Sequence, residues 1–303
     1  MAKTILMIKS DYLKFLKRNE VAGKPIVDKL GKLNKLYLPL SEWLYKLYEK
    51  DKKLKIIGLS GGQGAGKSTI TSILKFILKK KYGLELCIFS IDDFYKTKKQ
   101  RVKMAKSIHP LFLTRGVPGT HDVNLINKTI KKLKRRKFKN FLIPKFDKST
   151  DDRSKEKKWQ KIKKVPDLVI FEGWCIGALP QKDADLKKPL NFIEKKYDNH
   201  LKWRKLVNNN LKNQYRKIFN KLDKLVYLKV PNFNYIYKWR LLQEKKLKLT
   251  SKSKKTMSKS QIKEFIMYYE RITKHMMKNS YKISDLIIYL DKDHRSKKIK
   301  SND

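Results

Sequence analysis

Cysteine is almost missing from this chain. Cys87 and Cys175 are the only two in 303 residues. Both sit in apolar, strand-like settings, with no C-x-x-C spacing and no histidine pair nearby. That argues against a disulfide framework and a structural zinc site, and fits a reducing compartment. No apolar run approaches the roughly eighteen residues of a membrane span. Ile5-Leu6-Met7-Ile8, closed by Lys9 and Asp11, is too short for the core of a secretion signal. A cytoplasmic protein with no membrane partner is expected. Acidic residues are scarce as well: 28 Asp and Glu face 76 Lys and Arg, for a formal net charge of +48. Such an excess attracts polyanions and makes nucleic acid a partner to weigh. The charge is mostly lysine and is dispersed rather than gathered in an arginine-rich arm, the pattern of solvated helix faces. No specific nucleic-acid partner is therefore expected. The alternative, an NTP-regulated nucleic-acid-binding ATPase, requires RNA- or DNA-stimulated ATP turnover.

What is present is most concentrated between Leu54 and Tyr82. Ile56-Ile57-Gly58-Leu59 is a short apolar run of buried-strand type. Gly61, Gly66, Lys67 and Ser68 come next with the spacing G-x-x-x-x-G-K-[ST]. Ile70, Ile73, Leu74, Ile77 and Leu78 then mark one face of a helix. Strand, glycine loop and helix form the context of a phosphate-binding P-loop. Glycines let successive backbone N–H groups turn inward, and the helix start adds unpaired N–H groups and its positive dipole end. A dinucleotide fingerprint needs a third glycine where Lys67 stands, so it fails. Gly61, Gly62, Gln63, Gly64, Ala65, Gly66, Lys67, Ser68 and Thr69 are the expected nucleotide contacts. In this scheme Lys67 reaches the β- and γ-phosphates and Ser68 meets Mg²⁺.

Along the rest of the chain, residues 1–53 read as a helical preface with no evident chemistry. Pro39 interrupts it, and Ser41 is placed to cap the helix on its C-terminal side. Residues 54–291 read as the main domain, and 292–303 as a frayed charged tail. Within the domain, strands are expected at Leu84–Ile91, Phe138–Ile143, Asp167–Glu172, Leu225–Val230 and Leu286–Leu290. Helices are expected after Asp122, over Leu201–Leu222, over Tyr235–Leu249 and over Gln261–Met277. Lys96–Lys106 and Ser154–Lys164 read as charged connections, Ala178–Tyr197 as an irregular insert and Lys252–Lys259 as a polar break. His109–Asp122 and Pro144–Arg153 read as loops. Strands alternating with helices predict an α/β protein of the P-loop NTPase fold: a parallel sheet, helices on both faces and additional helical segments.

In open α/β sheets the ligand lies at the carboxyl ends of the strands. Asp92 and Asp93 close the second strand, and Glu172 closes the central one. A kinase needs one carboxylate near Mg²⁺ and another to accept the proton of the attacking hydroxyl. Asp92 is read as the base, with Glu172, Asp93 and Ser68 on the metal side; the residues alone leave Asp92 against Asp93 open. Arg240 is the expected mobile cation that neutralises charge in the transfer. Tyr95, Arg115, His121, Lys145 and Arg153 lie in polar or Gly/Pro-containing segments, where binding residues concentrate. Their cations suit an anionic acceptor.

The order of GLSGGQGAGKST, SIDDFYKT, TRGVPGTHD, PKFDKSTDDR, VIFEGW and YKWRLLQE resembles D-glycerate 3-kinases and their relatives. These are P-loop kinases related to uridine kinase, phosphoribulokinase and pantothenate kinase. The resemblance runs from about Tyr37 to Leu290 and takes in WRKLVNNNL and FIMYYERIT. It implies ATP and Mg²⁺ as cofactors and phosphorylation of a small-molecule hydroxyl, D-glycerate giving 3-phosphoglycerate. It also implies the base role for Asp92, the strand-end acid for Glu172 and the lid arginine for Arg240. Where uridine kinases carry a histidine in P-x-Y-D-x-x-x-H-x-R, this chain has Asp151, which disfavours a nucleoside. Another acceptor, as in uridine or pantothenate kinases, is the alternative.

Overall fold

The alternation of apolar runs and amphipathic stretches is realised as a sheet wrapped by helices. A computed structural model describes residues 2–19, 29–135, 137, 140–250 and 256–302. Its strands are β1 (Lys55–Gly61), β2 (Leu86–Ser90), β3 (Phe141–Ile143), β4 (Phe146–Asp147), β5 (Asp152–Arg153), β6 (Gln160–Ile162), β7 (Leu168–Gly173), β8 (Lys224–Lys229), β9 (Leu286–Leu290) and β10 (Ser296–Ser301). Six of these form the main sheet, in the order β10-β9-β8-β1-β7-β2. All neighbours are parallel except β10, which runs antiparallel to β9. In β1 and β7 every residue but Lys55 is buried, as continuous apolar runs covered on both faces require.

On one face, Phe89, Phe171 and Ile176 pack with Ile126 and Ile130, with Val207 and Tyr215, and with Tyr269 and Met276. These come from the helices Val123–Arg135, Lys202–Asn210 and Lys259–Ile283 and the π-turn Leu211–Tyr215. On the other face, Ile57 and Ile170 pack under the helix Lys67–Tyr82, whose Ile70, Ile73, Leu74 and Ile77 are buried. Ile8, Tyr12, Leu36 and Leu44 of the first fifty residues join that second core. Gly83, at φ 71°, closes the helix by returning its N–H to Lys79 and Leu78. Parallel register sets Glu172 of β7 between Leu59 of β1 and Ser90 of β2, so three strand ends share one edge.

Several expectations need correction. Lys96–Lys106 is no open connection, because Lys98–Ser107 is helical. Thr97 and Gln100 form a reciprocal capping box at its start. The buried Arg101 pins it through the carbonyls of Lys96, Leu113 and Asp151. The tail from Lys292 is not frayed, since Ser296–Ser301 pairs with β9 and Ile299 packs on the second core. An otherwise open sheet edge and one apolar residue suffice to recruit it.

Ser41 lies inside the helix Leu38–Glu49 and bonds back to Leu38 O, while Pro39 occupies its first turn. The insert 178–197 holds two short helices, Asp183–Lys187 and Phe192–Tyr197. The charged stretch after Ser154 contains β6, which pairs with β3. Pro144–Arg153 carries the β4–β5 hairpin. The first residues of the strand expected from Phe138, and much of the break at Lys252–Lys259, lie outside the described residues.

Candidate active site

β1 delivers the chain into the glycine loop, where Gly64 and Gly66 take φ of 80° and 87°, a region open to glycine without strain. A Cβ on Gly64 would stand 2.6 Å from Trp239 Cβ, whereas one on Gly66 would meet nothing within 4 Å. Gly64 thus answers to packing as well as conformation, and Gly66 to conformation alone. Lys67 Nζ donates to the carbonyls of Gly61 at 2.7 Å and Gly62 at 3.2 Å, which folds the ammonium back over the loop. Desolvation lowers the Lys67 pKa, and the carboxylates of Glu172 and Asp92 oppose that shift. Ser68 and Thr69 begin the helix at its more accessible end, and Ala65 is buried beneath the loop. Both polar atoms of the Gln63 amide are buried without a hydrogen-bond partner among the described residues.

Ser68 Oγ lies 3.5 Å from Glu172 Oε1. Burial raises the Glu172 pKa, Lys67 lowers it and Asp92 raises it again. Among the described residues no cluster of three or more His, Cys, Asp or Glu can hold a metal unaided. One hydroxyl beside one carboxylate fits a Mg²⁺ whose other ligands come from phosphate and water.

Asp92 and Asp93 part company here. Asp92 accepts from Tyr95 Oη at 2.8 Å and from Lys148 Nζ at 3.2 Å. Burial works against its charge, but Lys148 and the Tyr95 hydroxyl outweigh it and bring the pKa down to about 2. Asp93 is instead bound into the framework. It takes Lys145 Nζ at 2.7 Å and the backbone N–H groups of Ser90 and Phe146, both at 3.4 Å. With Ser90 it forms the capping box of the turn Ile91–Phe94.

A cavity of about 740 Å³ opens over these groups, with Gln63, Gly64, Lys67, Ser68, Asp92 and Glu172 in its walls. Tyr95, Arg115, Lys145 and Arg240 also line it. Arg240 pairs with Glu244 at 2.7 Å, and Arg115 pairs with Asp151 and lies over the Phe146 ring. The sequence predicts four cations converging on the acceptor, yet only Arg115 and Lys145 of the four reach the cavity wall. His121 is 1% exposed, stacks on Tyr95 at 4.6 Å and bonds Tyr215 Oη through Nδ1 at 2.6 Å. Burial lowers its pKa to about 3, so it brings no positive charge at neutral pH. Arg153 holds Tyr95 O at 3.0 Å and Asp122 at 3.2 Å from behind.

Arg18, Lys148 and Tyr269 also line the cavity, and none of the three is evident as a site residue from the sequence. Lys148 does sit within PKFDKSTDDR, so its segment carried the signal. Tyr269, whose hydroxyl donates to Arg115 O at 3.1 Å, likewise sits within FIMYYERIT, whereas Arg18 arrives from the first helix without a local signal.

A mostly parallel sheet with a phosphate loop on β1, and acids at the ends of β7 beside it and of β2 beyond β7, is the architecture of a P-loop kinase. The chain belongs to the phosphoribulokinase/uridine kinase family, whose profile matches residues 56–204. The uncharacterized kinase mug58 of Schizosaccharomyces pombe is 37% identical over 238 residues, 75% of this chain and 83% of that protein. The chloroplastic D-glycerate 3-kinase of Arabidopsis thaliana is 28% identical over 222 residues, 71% of this chain and 46% of its own length. The chain thus spans about half of that plant protein. A solved D-glycerate 3-kinase from Cryptococcus neoformans var. grubii superposes with a TM-score of 0.74 at 25% identity, covering 88% of this chain and 99% of the other.

Proposed function

We propose that the chain transfers the γ-phosphate of ATP, with Mg²⁺, to a hydroxyl of a small carboxylate-bearing acceptor, and that this acceptor is D-glycerate, giving 3-phosphoglycerate. The observation that carries the reading is one cavity shared by the glycine loop, the ionised Asp92 and the cations Arg115 and Lys145. The relatives that bear the name D-glycerate 3-kinase support the choice of acceptor.

In this reading Lys67 exchanges its bonds to Gly61 O and Gly62 O for the β- and γ-phosphate oxygens. Ser68 and Glu172 would hold Mg²⁺, which supplies neutralisation of the phosphate charge. Asp92 orients the acceptor hydroxyl and takes its proton. A low-pKa carboxylate suits a loose transfer, in which the attacking oxygen becomes acidic only late. Tyr95 and Lys148 fix the two Asp92 oxygens, so the acceptor meets a carboxylate of set direction. Arg115 and Lys145 face the acceptor carboxylate. Asp93, bound to Lys145, serves as a buttress more than as a metal ligand. His121 and Arg153 hold Tyr95 and thereby Asp92. Arg240, steadied by Glu244, supplies charge at the phosphate end. The buried thiols Cys87 and Cys175 suit a reducing cytoplasm.

The test is a product assay with ATP, Mg²⁺ and D-glycerate, beside uridine, pantothenate and other hydroxy acids. Formation of 3-phosphoglycerate with D-glycerate strongly preferred is the expected result. Turnover of a nucleoside alone, or ATP hydrolysis raised by RNA and indifferent to glycerate, would overturn it.

A further inference from the structure

The residues after β9 carry no assigned role, yet they return to the glycine loop. His294 Nε2 lies 2.8 Å from Gly64 O. A carbonyl can only accept, so the proton is on Nε2 and the imidazole donates. The same ring stacks on Trp239 at 3.9 Å and 28°. Trp239 in turn packs its Cβ against Gly64 and gives its indole N–H to Lys292 O at 3.1 Å. His294 reaches this position from a left-handed backbone, φ 60°, an uncommon conformation that persists only where its surroundings hold it. That hold is visible. Asp291 Oδ1 accepts from the N–H groups of Asp293 and Arg295, both at 2.8 Å, and Asp291 N–H bonds to Arg295 O at 2.9 Å.

The geometry points to His294 as a positioning residue for nucleotide binding, which sets one peptide plane of the phosphate loop. The Gly64–Ala65 peptide has two polar ends. Its N–H is fixed by Gly62 O at 3.2 Å, and its carbonyl is fixed by His294. A glycine peptide flips easily. A flip here would break both bonds and turn the Gly64 oxygen toward Gly62 O, on the side of the loop where Lys67 Nζ lies, so the nest would lose its shape and gain a repulsion. His294 holds the carbonyl outward. Trp239 precedes the cavity-lining Arg240 and makes the same contact, so the turn after β9, the helix Phe233–Thr250 and the glycine loop are joined at one point. Burial lowers the His294 pKa, the Gly64 bond raises it, Lys32 lowers it, and Asp291 and Asp293 raise it; the neutral Nε2–H form makes the same bond.

This inference rests on the reading that the loop binds ATP, and it is independent of the acceptor. The experiment compares H294Q, H294F and the unaltered full chain by direct titration with ATP and Mg²⁺, by melting temperature and by steady-state kinetics. Gln can donate near the position of Nε2, whereas Phe keeps the stack on Trp239 and loses the donor. H294F is expected to raise the ATP Kd and KM by about tenfold, with kcat changed far less and melting nearly unchanged. H294Q is expected to recover most of that loss. Should H294F fail to fold, H294M, with the reach of Gln and no donor, replaces it. ATP binding equal to the unaltered chain in H294F or H294M overturns the inference. Equal weakening in H294Q and the donor-free variant overturns it too, since the stack alone would then explain both. An unaltered chain that binds ATP while the variants bind equally well spares the kinase reading; one that binds no ATP removes both.

Discussion

The two ends of the cavity are built by different means. In the proposed reading, nine consecutive residues do most of the work at the phosphate end, and they do it largely with backbone. Two glycines at positive φ open the nest, and a helix start supplies N–H groups that no side chain has to aim. At the acceptor end, side chains from separate loops converge: Asp92 and Tyr95 after β2, Arg115 from a Gly/Pro turn, and Lys145 and Lys148 around the β4–β5 hairpin. There almost every cation is matched to an acid: Lys145 to Asp93, Lys148 to Asp92, Arg115 to Asp151 and Arg153 to Asp122. The charge offered to an acceptor is therefore much less than a count of arginines and lysines would give. A backbone nest tolerates sequence change around it, whereas a network of pairs fails or retunes when one member changes.

Substitutions at the two ends should differ accordingly. K67M removes the one charge the nest owns. It should cut kcat/KM by about 10³ or more with little change in melting; steady-state activity within tenfold of the unaltered chain would show that the loop is not the catalytic end. D92N is expected to lower kcat by about 10²–10⁴ with a nearly constant ATP KM. D93N should do something else. Asp93 holds Lys145 and two backbone N–H groups, so its loss should destabilise the fold by about 1–3 kcal/mol and reduce kcat much less. Equal kcat losses with unchanged melting in both variants would mean that the two acids share one role.

Legibility from residues alone divides along the same line. The glycine loop, the β7 strand ending on Glu172 and the Asp122 cap, which accepts from Leu125 N–H at 3.0 Å, are local patterns and can be read directly. So can Asp92 as a strand-end acid, but its distinction from Asp93 depends on Lys145, 52 residues away. His121 reads as a cation because its sequence neighbours are polar; its burial between Tyr95 and Tyr215 is tertiary. The helix at Lys98 is signalled by Thr97 and Gln100 and masked by a run of lysines. β10 and His294 hide in a charged tail, because one isoleucine and one histidine in a basic segment carry no periodic signal. Arg115 sharpens the point. R115Q should raise the acceptor KM about tenfold and leave the ATP KM alone. A rise in both would mean that the ends are not separable.

pH offers the smallest and most selective test, since the two ends carry groups displaced in opposite directions. In the proposed role Glu172 must be ionised to hold Mg²⁺, and burial places its pKa above the ordinary glutamate value. Affinity for Mg²⁺ and ATP should therefore fall a few-fold as pH drops through that raised pKa. Asp92, at about 2, stays charged throughout. Its stabilising contribution is complete above the ordinary aspartate range and is lost progressively as pH falls from there toward 2. His121 acts on folding instead. Its native pKa of about 3 lies below the free value of 6.5, so the unfolded chain binds the extra proton. The stability it contributes is complete above 6.5 and declines toward pH 3, by at most about 1.4 kcal/mol per pH unit. H121F should flatten the fall in melting temperature between pH 7 and 5 while leaving the pH dependence of ATP affinity in place. If H121F flattens the affinity profile as well, protonation behind the acceptor wall is reaching the phosphate loop, and the two ends respond as a single coupled site.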